Sequence, residues 1–456
     1  MSNRIVKGGG FFLPPGCEEA EKIKDRYKVE NPAHAMAHSL RGRGKWVNIP
    51  DPFVYACHDL PPGHAWASGT AIPRGIDVSR MPFDVVDKET CPPAKKLRLN
   101  RTFKMRDYQE KAVEELVKQC QGAVIAPCGA GKTSIGIGAI AAIPTKALIL
   151  VHTIDLAEQW IQRCESILGE KPSLIGGGSN QPPGRITVTL FQTLSTRRWE
   201  ERYEWAKQFG LVIADECHHL PAETFASVMM TMPAKYRLGL TATPDRPDGL
   251  EKILWWHLGN KLAEITVEEM IDRKLVMAPS IEWLTTNWDG PGKNVDWSKL
   301  IKAMTQSQGR NQVILDRAKD LVSEGRQVLI LSDRVAHCQS LAEELREFGI
   351  SSEALVGKLT KAKRNELLRE ANEGSIRVIT ATTIADEGLD LPGLDTVILT
   401  TPTKAMGRVQ QRIGRVMRTK EGKRTPLVVD LLDEPGALRG LARKRYRLYA
   451  KLGCRT

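Results

Sequence analysis

At 122–126 the chain runs G-A-V-I-A, passes directly into P-C-G-A-G-K-T, and continues into a helical stretch at 133–142. Few folds accommodate that order. An apolar strand, a glycine-bearing turn and a helix opening on Lys-Thr form the context of a phosphate-binding loop. Gly129 and Gly131 let backbone N–H groups point inward, and the helix N-terminus adds its positive dipole. Lys132 is placed to reach β- and γ-phosphates and Thr133 to ligate Mg²⁺, with Pro127, Cys128 and Ala130 completing the cradle. Position 126 carries Ala where the general pattern has Gly. The expected cofactors are ATP and Mg²⁺.

The sequence around this loop alternates in the α/β manner. Apolar runs at 146–151, 186–190, 211–214 and 237–240 are interleaved with helical patterns at 107–119 and 155–168. A second series has strands at 327–331, 377–380, 396–399 and 426–431 and helices at 335–348 and 361–373. Fully apolar strands of four to six residues between helices indicate parallel sheets covered on both faces. A length of 456 residues exceeds one compact core. The expected division is an accessory domain at 1–98, a first α/β domain at 99–260 and a second at 261–456. The first 98 residues hold eleven of the 26 prolines. They suggest a helix at 18–28 and short strands at 45–56 and 65–72. Their basic patch at 41–45, near Trp46, Phe53 and Tyr55, suits duplex or junction binding; a structural cap or a protein-docking domain suits them as well.

The run L-V-I-A-D-E-C-H-H at 211–219 is an apolar strand ending in two acids. At a strand's C-terminal edge, Asp215 can hold Mg²⁺ through water and Glu216 can orient or deprotonate the attacking water. His218 can report the γ-phosphate state. A metal site of Cys217, His218 and His219 is disfavoured, because adjacent side chains point apart and no further ligands are suitably spaced. Gln411, Gly414, Arg415 and Arg418 fall at 0, +3, +4 and +7, one helix face. Such a face can offer two guanidinium groups to one anion, the role of an arginine finger.

With these elements the chain resembles superfamily 2 helicases of the DEAH-like class, in the group of the XPB-type repair translocases and the UvsW-type phage recombination helicases. The motifs follow the family order over residues 104–418. R-D-Y-Q at 106–109 resembles the adenine-recognition element, implying that Arg106 and Gln109 bind the base. V-H-T-I-D-L-A-E-Q-W at 151–160 resembles motif Ia and T-L-F-Q-T at 189–193 the next strand-contacting motif, which implies DNA contacts by Thr153, Gln159 and Thr193. G-L-T-A-T-P-D-R-P-D-G at 239–249 resembles motif III in the longer form typical of DNA translocases, giving Thr241 and Thr243 a coupling role. L-I-L-S-D-R at 329–334 is similar to motif IV, with Arg334 on DNA. T-A-T-T-I-A-D-E-G-L-D at 380–390 is similar to motif V, with Thr382 and Thr383 on DNA and Gly388 and Asp390 at the nucleotide. Q-R-I-G-R-V-M-R at 411–418 is similar to motif VI, with Gln411 coupling and Arg415 and Arg418 catalytic. The resemblance implies two tandem RecA-like parallel-sheet domains, ATP shared between them, and 3′ to 5′ movement.

Charge agrees with a polyanionic partner. Residues 400–456 hold fifteen basic and four acidic residues, +11 of the chain's +12. The tail at 439–451 suits a backbone contact with stacking by Tyr446 or Tyr449; it also suits a helix packed on the second lobe with its cations in water. Nine cysteines without a C-x-x-C pair argue against a disulfide framework or a zinc site. No apolar run reaches the eighteen or so residues of a membrane span, and the first ten residues lack a signal peptide's apolar region. The expected setting is a bacterial or phage-infected cytoplasm, with no membrane partner. The leading expectation is an ATP-dependent DNA helicase on forked or branched DNA in replication, recombination or repair. The alternatives are a duplex translocase that remodels protein–DNA complexes without separating strands, and an RNA helicase. A truncated chain starting near Leu99 is expected to retain DNA-stimulated ATPase and to lose fork affinity.

Overall fold

The computed structural model describes residues 4–13, 17–41, 48–59, 70–79, 84–216, 222–242, 250–290, 296–357, 359–382, 391, 393–403, 406–420, 422–434 and 436–455. Two compact units emerge: residues 1–126 with 131–265, and residues 127–130 with 266–456. Among the described residues no helix is long and apolar enough to cross a membrane.

The first unit is built on an eight-stranded sheet. Its order is Ser179–Asn180, Ser173–Gly176, Ile186–Leu190, Ala147–Val151, Leu211–Asp215, Tyr236–Thr241, Gln121–Ile125 and Lys261–Glu264. Every pairing is parallel except the hairpin of the first two strands. The central strands A-L-I-L-V and L-V-I-A-D are buried throughout, as strands covered on both faces must be. Lys261–Glu264, expected to open the second domain, instead pairs with Gln121–Ile125 and closes the first sheet. The second unit has a six-stranded, all-parallel sheet: Ser280–Thr285, Leu427–Leu432, Thr396–Leu399, Val328–Leu331, Val378–Ala381 and Ser352–Leu355.

The N-terminal region folds as a five-stranded sheet in the order His58–Asp59, Thr70–Pro73, Gly10–Phe12, Arg4–Lys7 and Asp84–Asp87. It is built into the first unit. Phe12 meets Trp199 and Tyr203 edge-on, with ring centroids 5.9 and 6.5 Å apart. Gly9 approaches backbone so closely that a Cβ there would lie 1.9 Å from the Met230 carbonyl oxygen. The Arg74 guanidinium, 3% exposed, donates to the carbonyls of Ala234 and Lys235 at 2.6 Å each and pairs with Glu89. Arg237, fully buried, donates to the carbonyls of Gly9 and Met232.

Candidate active site

In a parallel sheet the carboxyl ends of the strands lie on one side, and loops there carry the chemistry. Gln121–Ile125 and Leu211–Asp215 flank Tyr236–Thr241 in one register, so their carboxyl ends are neighbours. The Ala126 N–H donates to the Thr241 carbonyl at 2.8 Å and ties the start of the loop to the strand end. Gly129 and Gly131 take φ of +89° and +78°, conformations a side chain would strain. Gly131 caps the helix Lys132–Ala142, whose first turn contains no acid. Thr133 follows within that turn.

The Lys132 ammonium lies 3.0 Å from Glu216 Oε1 and 3.2 Å from the Ala126 carbonyl oxygen. Glu216 takes a left-handed φ of +45°, an uncommon conformation for a non-glycine residue. Its N–H donates to Asp215 Oδ1 at 3.0 Å. The other oxygen, Oδ2, accepts from the Trp160 indole N–H at 2.7 Å. Asp215 is 4% exposed. Burial, and then the Glu216 charge, push its carboxyl up to about 6, against the opposing pull of Lys132, the Trp160 hydrogen bond and His152. The carboxylate is therefore mainly ionised at neutral pH and held in one orientation. A lysine at a helix N-terminus, two carboxylates beside it and glycines at left-handed positions form a donor set that fits a polyphosphate with a divalent cation.

Gln109 sits against the same loop. It is 3% exposed. Its Oε1 accepts from the Arg106 N–H at 2.9 Å, closing the helix Asp107–Gln119, while a Cβ on Gly131 would lie 2.5 Å from its Nε2. Arg106 donates to the Tyr108 hydroxyl at 2.8 Å.

The strand-contact candidates are dispersed. Thr153 caps the helix Ile154–Leu168 through its Oγ1, which accepts from the Leu156 N–H at 3.4 Å, and Gln159 on that helix is exposed. Thr193 lies in the short helix Phe191–Ser195. In the second unit the exposed Arg334 donates to Ser298 Oγ at 3.1 Å, and Thr382 is buried just beyond the strand Val378–Ala381. Gln411 and Arg415 are both buried on the helix Met406–Val416. Arg418 departs from the expected single helix face. The helix ends at Val416, and Arg418 forms an antiparallel bridge with Val276 while its carbonyl accepts from Lys423 Nζ at 2.7 Å. His218, Thr243, Thr383, Gly388 and Asp390 lie outside the described residues.

Two residues escaped the sequence reading. Trp160 shares the buried face of its helix with Ala157, Cys164 and Ile167, so its spacing is that of a core residue. Nothing in that pattern reveals the indole N–H aimed at Asp215. Arg412, 2% exposed, pairs with Asp333 Oδ1 at 3.1 Å and fixes the helix that carries Arg415.

Comparison with known proteins gives the same picture. Residues 102–246 match the family model of the type III restriction enzyme res subunit, and residues 312–420 that of the helicase conserved C-terminal domain. The DNA 3′-5′ translocase XPB2 of Sulfurisphaera tokodaii is 30% identical over 378 residues, covering 75% of this chain and 84% of that protein. A putative ATP-dependent RNA helicase, L396 of Acanthamoeba polyphaga mimivirus, is 28% identical over 347 residues, 73% of this chain and 64% of that one. Among solved structures, Mycobacterium smegmatis helicase Lhr bound to ssDNA and AMP-PNP aligns with a TM-score of 0.55 and 18% identity, over 75% of this chain and 48% of its own. That likeness is one of fold, two RecA-like domains.

Proposed function

The chain belongs to helicase superfamily 2, a family of ATP-dependent helicases and translocases, and from that premise we propose that it is a DNA motor moving 3′ to 5′ that opens or remodels forked or branched DNA. The observation that carries this reading is the cluster of Lys132, Glu216, Asp215 and Trp160. It joins the phosphate loop, the paired acids and the helix of the strand-contact candidates Thr153 and Gln159 through contacts of 2.7 to 3.0 Å.

The roles follow from chemistry. Lys132 neutralises phosphate charge, and releasing its bond to Glu216 frees that carboxylate to orient the attacking water. Thr133 and Asp215 would hold Mg²⁺, which would supply charge neutralisation for the phosphates. Gln109 presents an amide suited to an adenine edge. Arg415 and Arg418 supply cations for the charge that develops on transfer, worth about 10³–10⁵ in rate. Thr241 and Gln411 relay the nucleotide state. Contacts to a strand's backbone carry no sequence information, so movement is sequence-independent.

Two assays on one preparation test the proposal. Strand separation on a fork, together with triplex displacement on a duplex, supports a helicase. Triplex displacement alone supports a duplex translocase. Neither, with RNA unwinding instead, transfers the reading to the activity named for the mimivirus relative.

A further inference from the structure

The C-terminal helix Gly436–Lys451 has two faces of opposite character. One is anchored. Arg445 donates to Asp430 Oδ2 at 2.6 Å, the Tyr449 hydroxyl donates to the same oxygen at 2.5 Å, and both side chains pack on Trp283. Asp430 lies on the buried strand Leu427–Leu432, so the helix rides on the second unit's sheet. The other face carries Arg439, Arg443, Arg447 and Lys451, all exposed and four residues apart. Lys444 and Tyr446, the latter 51% exposed, lie beside them.

This ridge is costly as a mere solubilising surface. Like charges at i and i+4 destabilise a helix, and the spacing repeats that repulsion three times. The helix contains no acidic residue to relieve it. Arg439 pairs with Glu434, but among the described residues no carboxylate pairs with Arg443, Lys444, Arg447 or Lys451. At about 1.5 Å per residue the ridge repeats its charge every 6 Å or so. A nucleic-acid strand presents one phosphate per roughly 3.4 Å of duplex axis. The ridge from 439 to 451 therefore faces about five phosphates, with Tyr446 available as a stacking platform.

We propose that this exposed face of the C-terminal helix is a docking surface for the phosphate backbone of DNA, outside the strand-contact motifs. It rests on the reading of the chain as a DNA motor and adds a fixed grip to it. The anchored face supplies rigidity, and the ridge supplies counter-ions for the strand.

The test is the salt dependence of binding to a fluorescent oligonucleotide. A quadruple variant carries Arg443→Gln, Lys444→Gln, Arg447→Gln and Lys451→Gln; a second exchanges Arg and Lys at the same positions. Glutamine keeps helix propensity, and the anchor through Arg445 and Tyr449 is untouched. With four cations fewer on the phosphates, the slope of log K against log salt should become shallower by about 2 to 3 on single-stranded DNA. The weakening should be equal across sequences, and the exchange variant should keep the wild-type slope. An unchanged slope in the glutamine variant, with the wild type steep, overturns the proposal and leaves the face to an acidic protein. A wild type with no salt-dependent DNA binding overturns the motor reading itself, and the proposal with it.

Discussion

Trp160→Phe removes the indole N–H and, with it, the outer ring edge that lies against Gly136, whose missing side chain makes room for the indole. The deleted bond is a 2.7 Å donor to a carboxylate that is 4% exposed. Hydrogen bonds to charged groups contribute about 1.5–3 kcal/mol, and about 1.4 kcal/mol corresponds to one pKa unit. Asp215 already sits at about 6, raised chiefly by burial. Losing the indole donor disfavours only its ionised form, so its pKa moves up by about one unit or more, to 7 or above. The sign has two consequences. A carboxyl raised in the folded state stabilises the fold below its unfolded value near 3.9 and loses that contribution as pH rises through the folded value. Activity moves oppositely, because Mg²⁺ needs the carboxylate. The acidic limb of kcat/KM for ATP should lie near pH 6 in the wild type and move toward neutrality in Trp160→Phe. Steady-state ATPase from pH 5 to 9 reads both limbs, with a thermal melt to confirm folding. A folded variant whose acidic limb stays in place would refute the assignment of Trp160 as the group that orients Asp215.

Lys132→Ala should abolish ATP turnover, and Glu216→Gln should do the same while still binding a fluorescent ATP analogue; turnover in the lysine variant would remove the phosphate-loop assignment. Arg415→Ala should lower hydrolysis by about 10³ or more, and survival of hydrolysis would leave the arginine a structural role on its buried helix. Arg74→Ala breaks a buried ion pair and two carbonyl contacts that hold the N-terminal sheet. It should cost about 3 kcal/mol in urea unfolding, the lower end for such pairs, because Lys7 remains 3.0 Å from Glu89; a change under about 1 kcal/mol would mean that the sheet is not secured there. On the same grounds a chain starting near Leu99 should be destabilised, since it loses Phe12 from beside Met230 and Val54 from beside Ile253.

The parts of this protein that were legible in its sequence are those under two constraints at once. A-L-I-L-V and L-V-I-A-D are apolar because both faces of the sheet are covered, and their length marks them as strands. G-A-G-K-T is legible because glycine at positions 129 and 131 answers a backbone requirement. The edge strands were not legible. S-I-E-W-L-T at 280–285 and S-E-A-L at 352–355 keep polar residues on a less covered margin, so no apolar run announces them. Lys261–Glu264, placed by its sequence at the opening of the second domain, likewise shows no apolar run that would mark it as the edge of the first sheet. Arg418 shows another limit: residue spacing assumes that a helix continues, and here the backbone leaves at Val416 to pair with Val276. Buried arginines such as Arg74 and Arg237 carry no periodic signal at all. Their role appears only when the carbonyls of Ala234 and Gly9 are brought to them. Of the two readings of the basic tail, the packed helix is what the structure shows: Arg445 and Tyr449 turn to Asp430, which buries Tyr449 away from any base, while Arg443, Arg447 and Lys451 stay exposed.

The most direct measurement is ATP turnover by the full chain with no nucleic acid, with single-stranded DNA and with RNA of the same sequence, at one salt concentration. A DNA motor should show low basal turnover, strong stimulation by DNA and distinctly weaker stimulation by RNA, with the DNA effect falling as salt rises. Turnover that ignores both polymers would contradict the motor, and stimulation by RNA equal to or above that by DNA would contradict its assignment to DNA.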